Sequence, residues 1–154
     1  MIVISFYQFI ASEHELPALL SPKLHNLNDG GIFSSDTVGD FGDLEIVQEM
    51  VGYLFVDISV YTKLKYIYRL NLEYTPERGL RLCEYLKKNC QSGHRYELWT
   101  IDMGAETQEA IHEELVHLHR TYTSVEQLTE RILAAEGIHP DMGKRDYPRV
   151  LILQ

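Results

Sequence analysis

Strict alternation of apolar and polar positions is clearest from Leu64 onward. Leu64, Tyr66, Tyr68, Leu70, Leu72 and Tyr74 fall on one side, and Lys63, Lys65, Ile67, Arg69, Asn71 and Glu73 on the other. Side chains on a strand point to opposite faces with period two, so this pattern predicts a strand with one buried and one wet face. One-sided burial is the habit of antiparallel or mixed sheets. Thr75-Pro76 then reads as a helix start, with Thr75 as the cap and Pro76 at the first helical position. Leu82, Cys83, Leu86 and Cys90 follow helical spacing, and Lys87 and Lys88 suit the negative end of that helix. Gln91-Ser92-Gly93 breaks it, and Tyr96 to Ile101 resumes β character. Lys63 to Asp102 is thus a strand–helix–strand unit.

Around this unit the signals are weaker. Ile2 to Ile10 predicts a first strand, and Pro17 to Leu27 a helix interrupted near Ser21-Pro22. Asn28 to Asp43 is a long Gly/Ser/Asp-rich loop. Leu44 to Val60 predicts one or two strands, folded by a tight connection at Tyr61-Thr62 onto the strand at Lys63. Ala105 to His119 fits a helix with Ile111, Leu115, Leu118 and Tyr122 in its stripe. Its end, LVHLHRTY, also fits a strand, and the helix is preferred. Ser124 and Gln127 form a capping-box pattern ahead of Val125, Leu128, Ile132 and Leu133, with Gly137 as the stop. Arg149 to Leu153 reads as a final edge strand.

In order, the first two-thirds is β-α-β-β-α-β, the ferredoxin-like order, with both helices on one face of the sheet. The expectation is therefore an α+β fold in one domain, residues 1–154. It comprises a ferredoxin-like core over 1–103 and a C-terminal helical extension with its edge strand over 104–154. The other sheet face would be open, or covered in part by that extension.

Composition narrows the functional classes. The chain has 154 residues and a net charge of −9, which argues against a nucleic-acid binder or an anionic membrane surface. No apolar run approaches the roughly 18 residues of a membrane span, and MIVISFYQF lacks the basic region and cleavage site of a signal peptide. Cys83 and Cys90 lie on one helix about 10 Å apart along its axis, too far to pair with each other. Two free thiols on a buried stripe suit a reducing, cytoplasmic compartment.

Candidate chemistry is sparse. His112-Glu113-Glu114-Leu115-Val116-His117-Leu118-His119 is dense in ligand types, but its first two histidines are spaced i, i+5 and miss the zinc-protease pattern. Glu113, His117 and His119 are the candidate metal ligands, one short of a catalytic zinc set if taken in pairs. Asp29, Asp36, Asp40 and Asp43 do not follow the ligand order of an EF-hand loop. No nucleophile elbow, P-loop or dinucleotide-binding pattern is present, so no cofactor is implied. The remaining candidate is a surface. Lys65 and Arg69 on the wet strand face, with Trp99 and Tyr61 near it, are the residue types that anchor interfaces.

The leading functional expectation is a non-catalytic, bacterial-type domain that binds a protein partner. An acidic inhibitor or immunity-type protein for a basic partner fits its size and charge. Two alternatives stand beside it. One is a small metal- or His/Glu-dependent enzyme using His112, His117 or His119 with Glu113 or Glu114. The other is a ferredoxin-like homodimer holding a ligand at its sheet.

Overall fold

A computed structural model describes residues 6–20, 44–48, 58–71, 74–102, 107–137 and 148–154. Six strands form one mixed sheet: β1 (Phe6–Ser12), β2 (Glu45–Gln48), β3 (Tyr66–Asn71), β4 (Tyr96–Asp102), β5 (His119–Thr123) and β6 (Arg149–Leu153). Their order across the sheet is β2-β3-β1-β4-β6-β5. All neighbours are antiparallel except β5 and β6, which run parallel. The helices are α1 (Pro76–Asn89), α2 (Gln108–Leu115) and the short α3 (Glu130–Ile132), which runs on into a wide π-type turn, Leu133–Gly137. The fold is therefore α+β, with a six-stranded sheet and three short helices among the described residues. This strand order is longer than the four-stranded ferredoxin-like sheet, because β6 and β5 continue it beyond β4.

The strand–helix–strand unit forms for the local reasons its sequence carries. Thr75 Oγ1 accepts a hydrogen bond from the Arg78 N–H at 3.2 Å, Pro76 opens α1, and Lys87 and Lys88 occupy its last turn. Gly93 turns the chain back with a φ of 92°, a left-handed conformation that costs glycine nothing. Gly79 has a different reason to lack a side chain. A Cβ there would come within 3.0 Å of the Tyr74 ring and 3.1 Å of Glu130 Cγ, so glycine lets α1 lie close to both.

Alternation along the strands sorts the core into two clusters, one per sheet face. The first gathers Ile10, Ile46, Tyr68, Leu70, Tyr96, Leu98, Leu151 and Leu153 beneath Leu82, Cys83, Tyr85 and Leu86 of α1, with Val125, Leu128 and Leu133 beside them. The second gathers Tyr7, Phe9, Ala11, Ile67, Trp99, Ile101, Val150 and Ile152 beneath Ile58, Tyr61 and Ile111. The face expected to be open is thus covered in part, by the segment from Ile58 to Leu64 and by α2.

Several expectations need correction. β6 is not an edge strand: it lies between β4 and β5, and all five of its residues are buried. Arg149-Val-Leu-Ile-Leu is apolar at nearly every position, which is what a strand covered on both faces requires. The edge position goes to β5, whose Arg120 and Tyr122 are exposed. Among the described residues of the predicted helix over Ala105–His119, the helix runs from Gln108 to Leu115, and the chain is already a strand at His119. Tyr122, expected in the helical stripe, is 59% exposed on that strand. Ser124 Oγ does accept from the Gln127 N–H at 3.1 Å, but the bond closes a turn. Thr129 is the residue that caps α3.

Pro17 to Leu20 is not helical. Leu19 exchanges backbone hydrogen bonds of 2.9 and 2.8 Å with Ile46 along the outer side of β2. Ile58–Val60 is a single 3-10 turn rather than the end of a strand, so no tight hairpin forms at Tyr61-Thr62. The rest of the predicted 17–27 helix, the acidic loop with Asp29, Asp36, Asp40 and Asp43, the alternation at Leu54 and Val56, and the 138–147 connector lie outside the described residues. Among the described residues, no helix is long and apolar enough to cross a membrane.

Candidate functional site

On the second sheet face the cover is incomplete. α2 and the Ile58–Leu64 segment leave between them a cleft of about 450 Å³. Trp99, Val150 and Ile152 come from the sheet, Leu115 and Leu118 from α2 and its exit, and Arg120 from β5. That volume is in the range of small-ligand pockets. Tyr61 fastens the two covering segments together, its hydroxyl donating to Glu114 Oε2 at 3.2 Å.

The polar centre of the cleft is Glu97, a carboxylate only 5% exposed. Burying a charge is costly unless it is paired and hydrogen-bonded. Glu97 meets both conditions. Oε1 accepts from the Thr62 hydroxyl at 2.6 Å and from the Trp99 indole N–H at 2.9 Å, while Oε2 accepts from Arg95 Nε at 2.7 Å. Glu97 and Trp99 alternate along β4 and so share one face of it, and Arg95, just before the strand, reaches Glu97 from the same side. Thr62 arrives from the covering segment, and its hydroxyl also accepts from the Leu64 N–H at 3.2 Å, which orients it. Below this network Trp99 stacks on Phe9, with ring centroids 5.9 Å apart and planes 10° from parallel, and Tyr61 meets its edge at 5.6 Å.

Two of the four residues expected to bind a partner line this cleft, but as core residues: Tyr61 and Trp99 are 7% and 4% exposed. Lys65 and Arg69 are exposed on the same sheet face. Lys65 lines a neighbouring hollow of about 270 Å³ on the far side of the Thr62–Leu64 segment, and Arg69 stands beyond Phe9. The four therefore share a face without forming one continuous exposed patch. The alternation places Lys63 on the wet strand face, but the sequence does not single out Glu97, Arg95, Thr62 or Arg120 as site residues.

The histidine-rich stretch is not gathered into a site. His112, Glu113, His117 and His119 are all exposed, spread from the middle of α2 to the start of β5, and none lines the cleft. Among the described residues, no group of three or more His, Cys, Asp or Glu side chains is placed to hold a metal ion.

A second polar cluster lies at the same end of the sheet but on the first face, around Tyr96. His14 Nε2 is hydrogen-bonded to the Tyr96 hydroxyl, which also accepts from the Gln91 N–H at 2.8 Å. His94 sits edge-on to His14 and reaches Glu13 at 3.4 Å. These contacts tie the end of β1 to the start of β4. The two cysteines on this side of the molecule are free and buried. Burial pushes the Cys90 thiol up to about 12 and raises Cys83 as well, so both stay protonated and behave as small apolar groups.

Known protein families, curated proteins and solved structures were compared with this chain, and none matches it.

Proposed function

We propose that the protein is a non-catalytic protein-binding domain, and that the cleft over Trp99 is where it takes hold of its partner. The observation that carries this reading is the buried Glu97 holding Arg95 by its Nε at 2.7 Å beside an apolar hollow. Three donors hold the Glu97 carboxylate in one orientation, and in this reading its role is to position Arg95. The guanidinium it positions is 39% exposed at the side chain and is presented to whatever enters. Aromatic and arginine side chains around a concave, half-covered hollow are the usual anchors of an interface. The same reading takes β2-β3-β1-β4 as a ferredoxin-like core. Its support is that β1 lies between two antiparallel neighbours, with β2 outside β3. The partner need not be basic, because the cleft itself is lined by Lys63, Arg95 and Arg120.

A photo-crosslinking amino acid at Val116 tests the proposal, since Val116 is 79% exposed and lies between Leu115 and Leu118. In cells, Val116 should yield a discrete crosslinked protein that the same probe at Glu84, on the exposed side of α1, does not. Arg120→Glu should abolish that product. The same background at both positions would overturn the reading.

A further inference from the structure

Resting on the binding reading just given, we infer that the cleft receives the free C-terminal carboxylate of a partner chain whose last residue is apolar. The charge inside the cleft is the first reason. Its lining carries Lys63, Arg95 and Arg120 against one carboxylate, Glu97, in a chain whose net charge is −9. Glu97 is matched by Arg95 and held by three donors, and Glu114 nearby accepts from Tyr61.

The donors left over are cationic. Arg95 spends its Nε on Glu97, and its two terminal nitrogens make no hydrogen bond to a described residue. Lys63 reaches only the Ser59 carbonyl, at 3.4 Å. Arg120 is exposed and forms no ion pair among the described residues. A planar guanidinium fixed through one nitrogen presents the others to a carboxylate in a ready fork. Holding Arg95 in place beforehand also lowers the cost of ordering it on binding.

The second reason is what adjoins these cations. Leu115, Leu118 and Ile152 make the rest of the hollow apolar. The occupant must therefore present a negative charge and an apolar group side by side. At a chain terminus the carboxylate and the last side chain branch from the same Cα, which gives that spacing. An internal Asp or Glu puts its charge at the tip of the side chain and brings two chain continuations with it. A space of about 450 Å³ takes the last few residues of a chain and excludes a folded element. Capture of a terminal carboxylate is a recurrent mode of peptide recognition.

The molecule carries its own reporter, because Trp99 is its single tryptophan and lies in the cleft. The test titrates Trp99 fluorescence with N-acetyl-Ser-Gly-Val-Leu bearing a free carboxylate, with the same peptide as its C-terminal amide, and with octanoate. The acid peptide should bind saturably and roughly ten-fold or more tightly than the amide, the loss expected for charge-assisted hydrogen bonds. Lys63→Glu and Arg120→Glu change exposed side chains only and should remove that preference. Equal binding of acid and amide would overturn carboxylate recognition and leave the binding domain standing. Octanoate binding as tightly as the acid peptide would overturn both, since the cleft would then serve a small free acid. No binding by any probe, with the Val116 crosslink retained, would overturn this inference alone.

Discussion

The two faces of the sheet are built from the same six strands but closed in different ways. On the first face α1 lies over the strands and the polar groups beneath it are neutral, while the buried Arg149, beyond α1 on the same face, donates to the Ala135 carbonyl at 3.4 Å. Tyr85 donates to the Pro17 carbonyl at 2.6 Å, the Tyr68 hydroxyl accepts from the Leu16 N–H at 2.7 Å, and Cys83 and Cys90 are held as thiols. On the second face a short helix and a turn, joined through Tyr61 and Glu114, cover the strands only in part. The polar group that enters there is charged, and needs Arg95, Thr62 and Trp99 to stay. A continuous helix can close a face with apolar side chains and a few hydroxyls. A split cover leaves a hollow, and the hollow is where charge can be held and presented.

The largest effect should separate the faces outright. Leu86→Ala removes a fully buried side chain under α1 and should cost about 2–5 kcal/mol of stability in denaturant unfolding. Leu115→Ala, at the half-open cleft, should cost about 1 kcal/mol or less because water can fill the space. Equal losses would mean that the second face is as tightly closed as the first.

A smaller loss is expected from Glu97→Gln, which keeps the shape and removes the charge. The amide cannot accept from Thr62, Trp99 and Arg95 as the carboxylate does, and the loss should be about 1–3 kcal/mol. It should be accompanied by a change in Trp99 fluorescence, since the indole N–H bond is among those altered. A neutral result would show that Glu97 does not organise the cleft.

The smallest effect is a pH dependence belonging to the first face. Cys90 is pushed by burial from an ordinary value of 9.0 to about 12 in the folded protein. Above about pH 9 the unfolded chain has released this proton while the folded one still holds it. Its contribution to stability is therefore complete below pH 9 and lost progressively toward pH 12. Burial raises Tyr68, Tyr85 and Tyr96 too, and they add to the same alkaline loss. Cys90→Ala should flatten the slope between pH 9 and 10.5 in urea unfolding series. Glu97→Gln should leave it unchanged.

What could be read from the residues divides along physical lines. α1 was legible because its signals are local: a cap at Thr75, proline after it, cations at the end. β3 and β4 were legible because alternation is also local. β6 was recognised as a strand but misplaced at the edge, although Val150 to Leu153, apolar without interruption, carried the mark of two-sided burial. Ile111, Leu115, Leu118 and Tyr122 misled, because a helix and the strand after it continued one spacing by coincidence. In the cleft, the pattern Arg95-x-Glu97-x-Trp99 was open to reading as one strand face. Thr62 was not, because it comes from a distant segment, although it supplies one of the three donors that offset the burial of Glu97.

The position of β6 bears on how the sheet is put together in time. β5 touches the sheet only through β6, and β4 gains its second neighbour from the same strand. A chain emerging from the ribosome can pair β1 with β3 and β4 early, yet β5 must wait without a partner until the residues after it have followed. During that interval the wall of the cleft that carries Arg120 does not exist. The half-made molecule already has its central strands, while the cleft is completed only with the closing strand.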